Sequence, residues 1–367
     1  MRSCLLSRAL VALYIAIASS ACGRSVTVSG APPAPSGAAA SGAAASGASV
    51  SESDVRRLLG ALAHDSMEGR GTATVGSARA ARFIAAELGR YGVQPAGDSG
   101  FFQRVPVALR MRNGRTVPAL LPTLDARDTV PANTRANAVN VVGIIPGADP
   151  VLRDQVVLIG AHYDHLGIRA GEGPDSIMNG ADDDASGVVA VMEIARALAR
   201  GPAPKRTVIV AATTGEEVGL LGTRWYIQHP ARPLEATVAN LEIEMIGRPD
   251  SLAGGAGRGW LTGFERSTMG ELFASAGMPI VADPRPSEQF FMRSDNIAFA
   301  QRGIVAHTLS SFNMHTDYHE ATDDVSRVDF AHMTRLIDVA VRAARLLADS
   351  PTAPSWKPGG RPSPSSR

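Results

Sequence analysis

Short apolar runs that alternate with helical patterns are the feature that most constrains the fold of this chain. Five runs have the length of buried strands, and we predict strands at Val139–Ile145, Gln155–Gly160, Thr207–Ala212, Thr237–Ile243 and Gly303–Leu309. Other segments carry apolar residues at helical spacing and predict helices at Gly187–Ala199, Leu220–Gln228, Glu265–Ala276 and Val328–Ala348. Such alternation predicts an α/β fold, a three-layer α/β/α sandwich with a mixed, largely parallel central sheet.

The segments before the first predicted strand are organised differently. Ser51 and Asp54 are typical of a helix start, and a second helical pattern ends just before Gly92. The region from Phe101 to Asn137 is polar, contains proline and is weakly patterned. We therefore predict an insertion or an edge hairpin there.

Both ends of the chain differ in composition from its middle. Residues 1–22 combine Arg2 and Arg8 with a short apolar run, which predicts an export signal, and lipidation at Cys22 or a plain cleaved signal both stay open. Residues 23–50 are rich in Ala, Gly, Ser and Pro and predict a disordered linker. Residues 351–367 predict a disordered tail, which leaves 51–350 as the folded domain.

Cysteine usage and charge exclude several classes of protein. The only cysteines are Cys4 and Cys22, so the folded domain contains neither a disulfide nor a cysteine-ligated metal. The formal net charge is +1, with basic and acidic residues mixed along the chain, so we expect no nucleic-acid partner.

An export signal predicts a periplasmic, outer-membrane-anchored or secreted bacterial protein, with membrane anchoring through Cys22 as one option. The sequence sets no oligomeric state.

Metal-ligand residue types follow the predicted strands at the point where each strand ends. Ligands bind at the carboxyl ends of strands in open α/β sheets, so a site is expected there. The segments concerned are His162–His165, Glu216–Glu217, Glu242–Glu244 and His315–His319, together with Asn179–Gly187 ahead of a predicted helix. Each has an ordinary structural reading: a lone histidine after a strand, aspartates at a helix N-terminus, or a charged loop. Together they favour a metal site.

Carboxylates and imidazoles without thiolates suit catalytic zinc or a similar divalent ion. Two ions need a shared ligand, and a carboxylate can bridge them at a separation of ~3.5–4 Å. Of the adjacent glutamates, Glu217 can bind a metal while Glu216 acts as general base on the attacking water.

At these residues the sequence resembles the dizinc exopeptidases, which include bacterial leucyl aminopeptidases and aminopeptidase Y and, more distantly, glutamate carboxypeptidase and the transferrin receptor. The resemblance covers roughly 55–345. Its motifs are AHYDHLG at 161–167, NGADDDASG at 179–187, TTGEEVGLLGTRWY at 213–226, EMIGR at 244–248 and DYH at 317–319. It implies a zinc-exopeptidase-like fold and two Zn²⁺ per chain.

The resemblance also implies a role for individual residues. Asp183 matches the bridging carboxylate, His162 with Glu244 completes one zinc site, and Glu217 with His319 completes the other. Three further residues match catalytic positions: Glu216 the general base, Asp164 a carboxylate that orients the imidazole of His162, and Tyr318 a hydroxyl that faces the oxyanion.

One position departs from the family pattern. Family members usually carry aspartate where this chain has Glu244, and the extra methylene could shift the ligand or weaken that metal site. Glu242 is a nearby competitor, because residues two apart in a strand point to the same face. We keep Glu244 as the expected ligand. His165, His315, Asn179 and the pair at 294–295 are expected to support the site.

The expected function is hydrolysis of a peptide bond next to a free N-terminus, with peptides as substrates. A carboxypeptidase or dipeptidase on the same scaffold is an alternative, and it would need an arginine for the substrate carboxylate, for which Arg248, Arg285 and Arg293 are candidates. A receptor-like binding protein without catalysis is the other alternative.

Overall fold

The computed structural model describes residues 49–169 and 175–363. The predicted export signal 1–22 and nearly all of the linker 23–50 lie outside the described residues. Among the described helices, none combines the length and the apolar character needed to span a bilayer.

The described residues form twelve strands and eight helices. The strands are β1 Gln94–Pro95, β2 Phe102–Arg112, β3 Arg115–Leu120, β4 Arg135–Ile145, β5 Val156–His162, β6 Gly167–Ile168, β7 Ile177–Met178, β8 Thr207–Thr213, β9 Thr237–Ile243, β10 Gly259–Leu261, β11 Ile280–Ala282 and β12 Val305–Ser310. The helices are α1 Glu52–Leu62, α2 Val75–Tyr91, α3 Ala126–Thr129, α4 Gly187–Arg200, α5 Leu221–Gln228, α6 Thr268–Ser275, α7 Asn296–Gln301 and α8 Phe330–Asp349.

One large mixed sheet organises the described part of the chain. Its strand order is β11-β10-β12-β9-β5-β8-β4-β2-β3, with β1 beside β4. The four central strands β12, β9, β5 and β8 are mutually parallel, so their carboxyl ends reach the same edge. Strands β4, β2 and β3 continue the sheet in antiparallel fashion. The predicted α/β fold with a largely parallel central sheet is confirmed.

Helices cover both faces of this sheet because its central strands are apolar on both sides. Alternate residues of β5, such as Val157 and Ile159, pack with α1, α2, α4 and α8, whereas Val156 and Leu158 pack with α5 and α7. Residues in a strand point to opposite faces in turn, so a strand buried on both faces reads as a continuous apolar run. That property made β4, β5, β8, β9 and β12 predictable.

The edge hairpin predicted between Phe101 and Asn137 is present as β2 and β3, joined by a tight turn. Its register pairs Val107 with Leu120 and Arg112 with Arg115. The far half of β2 is exposed, with the Met111 side chain 71% accessible. The hairpin therefore extends the sheet beyond its buried core.

The segment after α8 differs from the prediction of a disordered tail. Within 351–363, Trp356 donates from its indole nitrogen to the Gly303 carbonyl at 2.9 Å and forms a β-bridge with Ser267. Lys357 pairs with Glu271 at 2.6 Å. The proline-rich composition concealed an aromatic anchor, because a single tryptophan carries no periodic pattern.

Candidate metal centre

The carboxyl ends of the central strands bring the predicted ligands together. His162 is the last residue of β5, Glu217 follows β8 and Glu244 follows β9 directly. Asp183 lies in an irregular turn, Ala181–Ser186, that leads into α4, and His319 lies in the loop after β12. Because the central strands are parallel, these five residues, which are distant in sequence, lie together at one edge of the sheet.

A first group of ligand atoms surrounds the imidazole of His162. Its Nε2 lies 3.3 Å from Oδ1 of Asp183 and 4.0 Å from Oε1 of Glu244. These three side chains can converge on one ion. The side chains of His162 and Asp183 are 2% and 3% exposed, whereas that of Glu244 is 22% exposed.

A second group uses the other oxygen of Asp183. Nε2 of His319 lies 3.2 Å from Oδ2 of Asp183 and 3.1 Å from Oε2 of Glu217. His165 is also present, with Nδ1 2.8 Å from Oε1 of Glu217 and 3.8 Å from Oδ2 of Asp183. Asp183 thus offers one oxygen to each group, as a bridging carboxylate does. Ligand atoms of His165, Asp183 and Glu217 also lie close enough together to hold an ion, so His165 is nearer the centre than a supporting residue was expected to be.

Backbone geometry prepares His162 as a ligand. Its Nδ1 lies 3.1 Å from the carbonyl oxygen of Asp164, and since a carbonyl only accepts, the proton resides on Nδ1. The lone pair is then on Nε2, which is buried and has no hydrogen-bond partner. A metal is the partner that such a nitrogen lacks.

Asp164 acts differently from the sequence prediction. Its carboxylate is 3.9 Å from Nδ1 of His162, and it accepts hydrogen bonds from the Thr72 hydroxyl at 2.7 Å and the Glu216 amide at 3.2 Å. The carbonyl of Asp164, rather than its carboxylate, orients the imidazole. The carboxylate instead fixes the backbone of Glu216, the expected general base.

Electrostatics at Glu216 suit a proton acceptor. Burial raises the pKa of its carboxyl well above the usual range; the nearby His162 opposes that shift and Glu244 adds to it. Glutamates serve as general bases near neutral pH when their pKa is raised in this way.

The remaining groups also fit a divalent ion. Burial raises the pKa of Glu244 to about 7. At His319 burial opposes the charge, but Asp183 and Glu217 outweigh it and raise the pKa to about 9. Without a cation the cluster therefore retains protons at neutral pH, and a metal would replace them. Nitrogen and carboxylate ligands of this kind are those that zinc takes in catalytic sites.

The aspartates on either side of Asp183 have structural roles. Oδ1 of Asp182 accepts the amide of Gly247 at 2.6 Å, and Oδ1 of Asp184 accepts the amide of Met245 at 3.1 Å. Both amides belong to the loop after β9 that carries Glu244. The two flanking carboxylates therefore tie that loop to the turn that carries the bridging residue.

Glu242 does not compete with Glu244. It is buried, accepts from the Asn240 amide at 2.7 Å, and lies so close to Gly160 that any Cβ there would overlap its carboxylate. Its pKa is raised to about 8 by burial and then by Asp295. Glu242 therefore lies behind the centre, and the expected ligand Glu244 faces it.

Arg70 is a supporting residue that sequence analysis missed. Its fully buried guanidinium donates to the carbonyls of Tyr163 at 2.8 Å, Leu62 at 2.9 Å, Asn179 at 2.6 Å and Gly180 at 2.8 Å. It thereby joins the loops that carry His162 and Asp183. No local pattern marks such a residue, because its partners lie up to 110 positions away.

A cavity opens onto the metal centre. One wall carries four carboxylates, Asp183, Glu216, Glu217 and Glu244. Another part of the lining is apolar and consists of Met245, Trp260, Phe290 and Phe312, which pack in one cluster. This division separates a region for charge and chemistry from a region for an apolar side chain.

Tyr318 lines the same cavity and stacks on His319 with ring centroids 3.9 Å apart. Burial raises the pKa of its hydroxyl above the usual value, so the hydroxyl stays a hydrogen-bond donor. His315 is directed elsewhere, with Nε2 3.0 Å from Oδ2 of Asp182, in the supporting role expected of it.

The three candidate arginines differ in what they contact. Arg248 pairs with Asp317 at 2.5 Å and with the buried Asp323 at 3.2 Å. Arg285 pairs with Asp250 at 2.5 Å. Arg293 lines the cavity and has no ion pair within residues 49–169 and 175–363; its guanidinium lies 5.0 Å from the ring centre of Phe290.

Solved structures with this architecture include two aminopeptidases. BSAP, a zinc aminopeptidase from Bacillus subtilis, superposes with a TM-score of 0.61 at 14% identity over 83% of this chain and 97% of that one. LapA from Legionella pneumophila gives a TM-score of 0.56 at 18% identity over 82% and 74%. At these identities the likeness establishes the fold.

The chain is also similar in sequence to proteins that are longer than it is. A probable leucine aminopeptidase 2 from Aspergillus fumigatus is 29% identical over 67% of this chain and 44% of its own length. A vacuolar membrane protease from Penicillium rubens is 28% identical over 56% of this chain, which spans 20% of that relative. The chain thus corresponds to a part of these longer proteins.

The family assignment follows from a match over more than half of the chain. Residues 140–344 of the 367 match the model of peptidase family M28. That range contains every predicted ligand and the predicted base. The expected relationship to zinc exopeptidases is confirmed, and the chain belongs to peptidase family M28.

Proposed function

We propose that this protein is a zinc-dependent aminopeptidase that binds two zinc ions and releases N-terminal amino acids from peptides. The observation that carries the proposal is the position of Asp183, whose two oxygens face two separate groups of ligands. In one group it is joined by His162 and Glu244, in the other by Glu217 and His319.

The residues of the cavity divide the reaction between them. Bound zinc would lower the pKa of a water molecule and polarise the scissile carbonyl. Glu216, whose raised pKa suits a base, accepts the proton of the attacking water and passes it to the leaving amine. Tyr318 supplies a hydroxyl to the oxyanion, and Asp164 keeps the backbone of Glu216 in place.

Charge distribution favours an amino- over a carboxypeptidase. Four carboxylates line the cavity and one guanidinium, that of Arg293, accompanies them. A surplus of negative side chains suits a substrate that presents an ammonium group to the centre. Activity on N-blocked and C-blocked peptides tests the choice: hydrolysis confined to peptides with a free N-terminus supports the aminopeptidase, and hydrolysis that requires a free C-terminus contradicts it.

The role of Glu216 is tested by Glu216→Gln. The amide has the same shape but cannot take a proton, so turnover should fall by about 10²–10⁴-fold while both zinc ions stay bound. Elemental analysis of the purified protein and its rate on amino-acid p-nitroanilides give the two readouts. Retained turnover would refute a base at this position, and loss of zinc would assign Glu216 to the ligands instead.

Metal content also separates an enzyme from a binding protein. About two zincs per chain, with release of N-terminal residues that stops on chelation and returns with zinc, would support the proposal. Little metal and no hydrolysis of any peptide would favour a receptor-like protein that has kept only the fold.

We also propose that the protein is exported. The support is the pattern of residues 1–22, with membrane anchoring through Cys22 as one form of export. Mass spectrometry of the mature N-terminus distinguishes a lipidated cysteine from a plain cleaved end, and an intact Met1 would contradict both.

A further inference from the structure

Arg293 is a cation at the metal cavity that the described residues leave without a counter-ion. It lines the cavity together with Glu216, Glu244 and Tyr318, and it is exposed. The other two candidate arginines are held by buried aspartates, Arg248 by Asp323 and Arg285 by Asp250. Of the three candidate arginines, Arg293 is therefore the one whose donors are available to a ligand in the cavity.

Arg293 contacts the aromatic wall and forms no ion pair with the described residues. Its guanidinium lies 5.0 Å from the centre of the Phe290 ring, and Phe290 in turn stacks on Trp260 with centroids 5.2 Å apart. A cation–π contact with a ring face leaves the N–H donors of a guanidinium free around its edge. Those donors match the two oxygens of a carboxylate.

We infer that Arg293 binds the C-terminal carboxylate of short substrates, so that the enzyme acts preferentially on dipeptides with an apolar first residue. This inference rests on the proposed aminopeptidase function. The apolar wall of Met245, Trp260 and Phe312 takes the first side chain, and the carboxylate cluster takes the amine and the scissile bond. In a dipeptide the terminal carboxylate follows one residue later, about 3.8 Å further along the chain.

The charges around the cavity agree with a short substrate. The cavity combines apolar side chains with a small number of polar groups, as small-molecule sites do. An acidic first side chain would meet the apolar wall and four carboxylates, which disfavours it as the partner of Arg293. A C-terminal carboxylate bound by the exposed Arg293 would contact neither the apolar wall nor the four carboxylates. A longer peptide would place a neutral peptide group beside Arg293 instead.

Binding to a catalytically slow protein tests this inference directly. We would titrate the zinc-loaded full chain carrying Glu216→Gln with L-leucyl-L-alanine and with its C-terminal amide by calorimetry. The two ligands differ only in the charge at the C-terminus. We expect the dipeptide to bind about tenfold more tightly than the amide, the size of a partly exposed charge-assisted contact.

Variants at Arg293 complete the test. In the same background, Arg293→Met should abolish the difference in affinity between dipeptide and amide, and Arg293→Lys should keep part of it because the charge remains without the planar fork. Arg302→Met, which removes an exposed arginine that does not line this cavity, is the matched control and should leave the difference intact. With Glu216 intact, the same difference should appear mainly in KM.

Equal affinity for dipeptide and amide, or a difference that survives Arg293→Met, would overturn the inference. Because affinity is measured without turnover, this result is distinct from failure of the proposed function. That failure would appear as no hydrolysis of either ligand by the chain with Glu216 intact.

Discussion

The two halves of the metal centre are built on different supports. In the first, His162 ends β5 and Glu244 follows β9, and these strands are paired neighbours in the middle of the sheet. In the second, Glu217 lies four residues beyond β8 and His319 nine residues beyond β12. The His319 side chain is 33% exposed compared with 2% for His162, whereas Glu217 is 6% exposed compared with 22% for Glu244. A ligand at a strand end inherits the rigidity of the sheet, whereas a loop ligand can adjust. We expect the first half to be preformed and the second to order when metal binds.

Asp183→Ala should have the largest effect, because this residue belongs to both halves. Loss of its two oxygens removes a ligand from each group, so zinc content should fall from two to near zero. Turnover should fall by more than about a hundredfold, since even residues behind the ligands can cost that much. Elemental analysis and rate measurements check both, with the exposed Asp154→Ala as control. A variant that retained one zinc would show that the halves are independent.

Glu244→Ala and Glu217→Ala should each remove one zinc and thereby separate the halves. Each variant deletes a carboxylate from one group only. The remaining zinc should be bound more tightly in Glu217→Ala, because the strand-end half is left intact. Zinc titration of the two proteins provides the comparison. An unchanged number of bound zinc ions in Glu244→Ala would rule out this glutamate as a ligand. It would also indicate that replacing the aspartate of the family pattern by glutamate has removed a ligand from this site.

The two histidines of the second half should differ in effect. His319→Ala should weaken zinc binding there by about 100-fold, as expected for a lost ligand. His165→Ala should cost about tenfold, because we assign it to orienting Glu217, from which it is 2.8 Å away. Competition with a zinc-sensitive dye measures both affinities. The reverse order would exchange their roles and make His165 the ligand.

The smallest expected effect is the pH dependence of the zinc-free protein, in which each half should lose stability over its own, partly overlapping, pH window. Glu244, raised from 4.5 to about 7, and His319, raised from 6.5 to about 9, both hold protons more tightly in the folded state. The folded state then binds more protons than the unfolded state, so the free energy of unfolding falls as pH rises. The loss should occur between about pH 4.5 and 7 for Glu244 and between about 6.5 and 9 for His319.

Urea unfolding across this range, with Glu244→Gln and His319→Gln, assigns each window to its residue. Each variant should reduce the slope of the stability profile in its own interval, and the slope that remains belongs to other buried carboxyls such as Glu242, whose pKa is raised to about 8. A zinc-free protein that became more stable between pH 5 and 9 would contradict the expected sign.

Local patterns explain which parts of this structure could be predicted. Glu244 follows the apolar run of β9 directly and Glu217 lies four residues beyond that of β8, and such runs are recognisable because both faces of the strand are buried. The choice of Asp183 among three aspartates came from the family resemblance. Geometry gives the reason: only its carboxylate faces both groups, while its neighbours accept loop amides.

Long-range contacts explain what could not be predicted. Arg70 acts on carbonyls about a hundred positions away, and His165 reaches Glu217 across 52 positions. The loop conformation after β5 determines that the carbonyl of Asp164 contacts His162 while its carboxylate accepts the amide of Glu216. None of these contacts follows a period of 2 or 3.6 residues, so no pattern in the sequence indicates them.

The packed segment after α8 decides where this protein can be shortened. Trp356 contacts the ring of Phe291 with centroids 6.4 Å apart, and Phe291 shares a single turn with Phe290, the aromatic support of Arg293. A recombinant protein that stops at Ser350 would lose the contact between Trp356 and this turn. A cleavable purification tag therefore belongs after residue 363, and any assay of substrate preference needs the chain at least to that point.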